Sequence, residues 1–160
     1  MIENNDTRGW RIVRLLTETN IKLLDLCLLL LRCTVGLILF GVGSGKVFGW
    51  FGGYGLELTI RNFVTMGIPA PLAYLSTFTE LIGGSLLMVG LFTRPAAFAV
   101  MMNMLVATVL TLPMGFFTTA AYPLSLMNSA VIILLAGPMA YSLDSLLLRA
   151  LGAFQPEASS

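Results

Sequence analysis

The chain has 160 residues, of which 57% are hydrophobic and only 11% are charged, with a net charge of +1 and no histidine. A soluble domain carries about 25% charged residues to keep its surface compatible with water, so this composition excludes an ordinary soluble fold. The small net charge gives no reason to expect nucleic acid as a partner. The lack of histidine removes the commonest metal ligand, and we expect no metal site.

Four long apolar runs predict an all-α membrane protein, an antiparallel bundle of four transmembrane helices. A helix of about 20 apolar residues crosses the roughly 30 Å hydrocarbon core of a bilayer. The predicted organisation is a cytoplasmic segment 1–22, a transmembrane domain 23–148 and a tail 149–160, with spans at about 23–43, 71–91, 96–112 and 124–141 and an outer loop at 44–70. Because a very short turn at Arg94 and Pro95 separates the second span from the third, these two should be antiparallel neighbours.

The basic residues predict that both termini are cytoplasmic. With the N-terminus inside, six basic residues lie on the cytoplasmic side and two on the other, which agrees with the positive-inside rule. The six are Arg8, Arg11, Arg14, Lys22, Arg94 and Arg149, and the two are Lys46 and Arg61. In the outer loop, Leu56, Ile60 and Phe63 share one helical face. They suggest a short interfacial helix, which is either a plain connector or a substrate lid.

Two charged residues fall inside the apolar runs, Arg32 near the centre of the first and Glu80 near the centre of the second. A lone arginine at the bilayer centre costs about 2.5–3.5 kcal/mol. Because antiparallel spans place their midpoints at one depth, we predict that Arg32 and Glu80 pair, with neighbouring glycines allowing close helix approach. Such a pair either fixes helix register or binds a polar head group, and the sequence leaves both interpretations open.

Two asparagines lie in the later spans, Asn103 in the middle of the third and Asn128 in the outer half of the fourth. We expect Asn103 to bond between helices, whereas Asn128 could line a cavity with Arg32. The candidate ligand-binding residues are therefore Arg32, Glu80 and Asn128, and no catalytic residue is assigned. The polar residues with an expected structural role are Asp25, Lys46, Arg94, Asn103 and Asp144.

Three segments carry a resemblance to a known family. They read LRCTVGLILFGVGSGKVFGWFGGYG, MGIPAPLAYLSTFTELIGGSLLMVGLFTRPAA and AGPMAYSLD. Together they resemble the DoxX/DoxD superfamily, whose members are four-helix membrane proteins. The polar positions that match are Arg32, Lys46, Glu80, Arg94 and Asp144.

The resemblance implies a bacterial-type inner-membrane protein that acts beside a redox system, with quinone as the best candidate ligand. Many relatives carry a histidine after the third span and a glutamate near the start of the fourth. This chain has no histidine, and Asn128 stands near that glutamate position. Because the sequence also shows no intrinsic cofactor motif, it is at most a quinone-linked oxidoreductase subunit that is not catalytic alone. The alternative is a non-catalytic membrane subunit or anchor, in contact with lipid and with a protein partner or other copies of itself.

Overall fold

A computed structural model describes residues 21–137 and 142–150 of the chain. It confirms the all-α fold, with no strand among these residues and four helical stretches long and apolar enough to cross a membrane. The spans are Leu23–Phe48, Ala70–Val89, Thr93–Met114 and Phe116–Ala136. The α-helices are α1 Ile21–Phe48, α2 Gly55–Thr65, α3 Ala70–Phe78, α4 Gly84–Val89, α5 Thr93–Thr111, α6 Ala121–Ala136 and α7 Leu143–Ala150.

Some sequence predictions concern residues outside this range. They include the polar segment up to residue 20 with Arg8, Arg11 and Arg14, the end of the predicted fourth span at residues 138–141, and the tail from residue 151.

Helix α1 contains 28 residues, which makes it roughly 42 Å long at 1.5 Å per residue. The helix extends beyond its predicted end at residue 43. Gly36 and Gly43 do not break it, because they pack against the second span. A Cβ on Gly36 would lie 2.8 Å from the carbonyl oxygen of Gly84, and one on Gly43 would lie 2.5 Å from the amide nitrogen of Leu81. The helix ends before Gly49, whose φ of 73° is the left-handed conformation typical after a helix C-terminus.

The second span is not a regular α-helix throughout. Between α3 and α4, residues Thr79–Gly83 form one wide π turn, in which Glu80 and Gly83 are buried. Such turns rotate the side chains that follow them and are frequent at functional sites. A similar π segment, Phe116–Ala120, opens the fourth span, so that span begins ahead of the predicted residue 124.

The four spans share one apolar core. The first span packs along the second and the third along the fourth, and the second span also contacts the third, its neighbour across the short turn. The buried apolar side chains at the centre are Val35, Leu39, Leu87, Ala96, Ala97, Val100, Met104, Leu126, Ala130 and Ile133. Small residues among them let the helices approach closely, as is usual inside membranes.

Short helices lie at the two ends of the bundle. Helix α2 covers one end, here called the α2 end, where Ile60 is buried and the Thr59 hydroxyl donates to the carbonyl oxygen of Lys46 at 3.3 Å. Helix α7 lies at the opposite α7 end. Its N-terminus is capped by Ser142, a preferred residue type at this position, whose Oγ accepts a hydrogen bond from the Ser145 N–H at 3.0 Å.

Candidate functional site

The α2 end holds a buried ion pair between the first and second spans. Lys46 Nζ donates to Oε1 of Glu80 at 2.7 Å and lies 2.6 Å from Oε2. The Lys46 side chain is 24% exposed, whereas that of Glu80 is only 6% exposed. Oε2 is buried and accepts no hydrogen bond of acceptable geometry from the described residues, so this carboxylate oxygen retains capacity for another donor.

The local structure explains why these two side chains meet. The close contact of Gly43 with Leu81 and the Glu80 backbone holds the first and second spans together at this level. Lys46 lies one helical turn beyond Gly43, and the π turn at Thr79–Gly83 contains the buried Glu80. The pair therefore depends on glycine packing and on an irregular turn, and neither feature follows from hydropathy.

One aromatic ring lies beside the pair. The ring of Phe63 in α2 lies with its centroid 5.3 Å from Lys46 Nζ, which is within cation–π range. The site thus combines one ammonium donor, one carboxylate acceptor and the aromatic ring of Phe63 on the α2 side of an apolar bundle.

The opposite, α7 end holds a second polar cluster. Arg32 is 5% exposed, and its guanidinium lies against Gly90, where a Cβ would come within 2.8 Å of Cζ. The Asp144 carboxylate accepts the backbone N–H groups of Phe92 and Thr93, each at 2.8 Å, while the Asp144 N–H donates to the Gly90 carbonyl at 3.0 Å. Asp144 thereby caps α5 from another helix and joins α7 to the turn between the second and third spans.

The electrostatics of Asp144 agree with this capping role. Burial alone would raise the pKa of Asp144, but hydrogen bonds from Thr93 and Phe92 and the positive charge of Arg32 outweigh it. The pKa of this carboxyl therefore lies below its ordinary value of 3.8. The carboxylate stays ionised at neutral pH and compensates for the left-handed backbone of Phe92, whose φ is 48°.

The predicted pairing of Arg32 with Glu80 is wrong, because Glu80 pairs with Lys46 and Arg32 contacts Gly90. Gly90 is ten residues beyond Glu80 along the second span, a separation of roughly 15 Å at 1.5 Å per residue. The error lies in the register of the helices. The prediction aligns the midpoints of two short spans. In the structure the glycine contacts fix a different axial position of the longer first helix relative to the second.

The structure places the remaining predicted residues apart from the pair. Asn103 donates from Nδ2 to the Ser76 carbonyl of the second span at 3.4 Å, an interhelical contact of the kind expected. Asn128 is exposed on the outside of the fourth span and does not line a cavity with Arg32. Asp25 is half-buried near the start of the first span, and Arg94 is exposed with its guanidinium against Gly137.

Sequence reasoning missed the role of Lys46 as the partner of Glu80. Lys46 was assigned a structural role because it lies at the predicted membrane exit. The signal that could have found its partner is the spacing of Gly36 and Gly43, which marks the face of the first span that contacts the second.

A separate groove of about 480 Å³ opens between the second and third spans. Its lining is apolar except for Thr79, which lies in the same π turn as Glu80. The groove contains no charged side chain, so it suits an apolar chain rather than a polar head group. Within the described part of the chain, no three metal-ligating side chains come together.

These features define a polytopic α-helical membrane protein with a buried Lys–Glu pair at one end of a four-span bundle. A family model described as DoxX matches residues 27–113, more than half of the sequence, and the chain belongs to the DoxX family. A protein of Bacillus subtilis (strain 168), named "Putative oxidoreductase CatD", is 31% identical over 124 residues, which cover 77% of this chain and 88% of that protein. No solved structure matches the chain with significance.

Proposed function

We propose that this protein is a membrane-embedded subunit that binds a quinone-type ligand at the Lys46–Glu80 pair and presents it to a partner oxidoreductase. The observation that carries the proposal is the buried pair itself, whose carboxylate oxygen Oε2 lies 2.6 Å from the Lys46 ammonium but accepts no well-aligned hydrogen bond from the described residues. Ionisable groups inside a membrane are costly and mark functional sites by default. The oxidoreductase name of the Bacillus subtilis relative supports a redox setting.

The residues at the α2 end fit such a ligand. The Lys46 ammonium can donate to a quinone carbonyl oxygen, and Oε2 of Glu80 can accept from a quinol hydroxyl. The ring of Phe63, which lies 5.3 Å from Lys46 Nζ, gives the flat ligand an apolar surface to pack against. When bound, the quinone would supply the electron-accepting centre, while Lys46 and Glu80 orient its polar edge through hydrogen bonds.

The proposed setting is a bacterial-type inner membrane with both termini cytoplasmic. Six basic residues against two favour this orientation. It places the α2 end, and with it the Lys46–Glu80 pair, on the outer side of the membrane. The partner oxidoreductase would then reach the ligand from that side, across α2.

Binding is tested with the full chain in lipid nanodiscs, titrated with a short-chain quinone and followed by quenching of tryptophan fluorescence. The backbone of Trp50 lies against Gly45, the residue before Lys46, so this tryptophan is placed to report on a ligand near the pair. The informative variant is the double change Lys46→Gln with Glu80→Gln, because it removes both charges without leaving either one buried alone. The loss of a charge-assisted hydrogen bond, about 1.5–3 kcal/mol, should weaken binding about 10- to 100-fold.

The matched control is Arg61→Gln, which removes an exposed charge from α2 and should leave binding unchanged. Equal binding by the wild type and the double variant would show that the pair is not the ligand site. The anchor alternative predicts a different result, in which the wild type binds no quinone but co-purifies with a partner protein.

A further inference from the structure

The amide of Asn128 points away from the bundle into the space that lipid would occupy. The buried residues of α6 are Pro123, Leu126, Ala130 and Ile133. At 100° per residue, Asn128 lies on the side of the helix opposite to them, and it is exposed. No residue that the structure describes makes a hydrogen bond to it.

The depth of Asn128 makes this exposure costly. The fourth span runs from Phe116 to Ala136, and Asn128 lies two residues from its midpoint. Hydrocarbon offers no hydrogen-bond partner at that level, and an unpaired polar group there costs free energy. Asn103, the other asparagine within a span, shows the usual solution, since its amide donates to the Ser76 carbonyl of a neighbouring helix.

The face around Asn128 has the pattern of a helix-pairing seam. Residues spaced alternately by four and three positions along this face are Leu124, Asn128, Val131 and Leu135, which is a heptad repeat. Leu135 is 77% exposed and Asn128 is also exposed, whereas Leu124 and Val131 at the edge of this face are half-buried. Helix α6 contains no charged residue.

We propose that this seam is the interface between two copies of the chain, with the two Asn128 amides hydrogen-bonded to each other across a two-fold axis. A carboxamide carries both a donor and an acceptor, so it is complementary to itself in a symmetric contact. A single asparagine in an apolar heptad seam is known to fix the register and number of paired helices.

The inference is tested by measuring the dissociation constant of the full-length chain in proteoliposomes, by energy transfer between donor- and acceptor-labelled copies at increasing lipid dilution. Asn128→Leu should weaken dimerisation about 3- to 30-fold, which corresponds to an interhelical hydrogen bond of about 0.6–2 kcal/mol. The matched control is Asn103→Leu. This change removes an amide that bonds within the chain and should leave the dissociation constant unchanged.

Cysteine cross-linking gives an independent measurement. The native free cysteines, Cys27 and Cys33, are first replaced by serine. In this background Asn128→Cys and Leu135→Cys should each form covalent dimers on oxidation, whereas Val106→Cys, on the exposed face of the third span, should not. Failure of both seam positions to cross-link, together with an unchanged dissociation constant for Asn128→Leu, would overturn the inference. Cross-linking of the seam to a different protein in native membranes, without covalent dimers, would overturn it as well.

Discussion

The Lys46–Glu80 pair predicts an asymmetric response to removal of either charge. At 2.6 Å, the attraction between the two unit charges is about 6 kcal/mol with an effective dielectric constant of 20. Desolvation of the two ions offsets much of this, so the intact pair adds little net stability. A single substitution removes the attraction but leaves the desolvation cost of the remaining ion.

The different exposures of the two side chains decide which substitution costs more. Glu80 is 6% exposed and cannot reach water when Lys46 is removed, so Lys46→Ala should lower the free energy of unfolding by about 3–5 kcal/mol. Lys46 is 24% exposed, and its long side chain can extend toward the interface. Glu80→Ala should therefore cost only about 1–2 kcal/mol, and the double variant should recover at least half of the loss caused by Lys46→Ala.

The assay is reversible unfolding in mixed micelles, followed by circular dichroism, for the wild type, both single variants and the double variant. Glu57→Gln, an exposed carboxylate on α2, is the control and should stay within about 0.5 kcal/mol of the wild type. A larger loss for Glu80→Ala than for Lys46→Ala would refute the argument from exposure. Strictly additive losses in the double variant would refute the pairing itself.

Three further results are expected. Asp144→Asn should destabilise the protein by about 1.5–3 kcal/mol in the same unfolding assay. Because the pKa of Asp144 is lowered on folding, its contribution should be present well above the ordinary pKa of 3.8 and lost as the pH falls through the folded pKa, a dependence absent from the variant. Gly43→Ala should be strongly destabilising, since its Cβ would lie 2.5 Å from the Leu81 backbone, whereas Gly41→Ala meets open space and should be neutral or stabilising by up to about 1 kcal/mol. Reporter fusions at both termini should indicate cytoplasm, and a fusion in the 45–70 loop should indicate the other side; a far-side C-terminus would contradict this topology.

The sequence predicts the helices of this protein better than their register. Apolar runs of about 20 residues are a direct consequence of bilayer thickness, so the four-span fold follows from composition and spacing alone. The contact of Gly36 with Gly84 depends on the absence of side chains, and hydropathy contains no information about which glycines face each other. The choice of partner for Glu80 depends on this register and could not be predicted.

The polar clusters at the two ends of the bundle also show that unusual residues can be recognised from the sequence, whereas their partners cannot. Arg32, Glu80 and Asp144 were each recognisable as unusual residues, because charge is rare within or beside apolar spans. Their partners come from positions distant in the sequence: Asp144 bonds to Phe92 and Thr93, 52 and 51 residues away. The π turn that contains Glu80 has no local sequence signal either, since residues 79–83 contain no proline.

The distance between the two clusters bears on the possibility that the bundle conducts ions. Lys46 and Arg32 are fourteen residues apart on α1, roughly 21 Å at 1.5 Å per residue. Val35, Leu39 and Leu87, which lie between these levels, are at most 2% exposed. The backbone contact of Gly36 with Gly84 fills the space beside them.

A charge crossing this layer would lose its hydration beside apolar side chains such as Val35, Leu39 and Leu87, at a cost of many kcal/mol. The proposed dimer seam adds no path, because Leu124, Val131 and Leu135 are apolar. We therefore expect proteoliposomes that contain the protein to show no more proton flux than empty vesicles when a potassium gradient and valinomycin impose a membrane potential. An internal pH-sensitive dye reports the flux, and a protonophore is the positive control. Flux above the empty-vesicle level that is lost in the Lys46→Gln, Glu80→Gln double variant would show that protons cross the apolar layer from the pair.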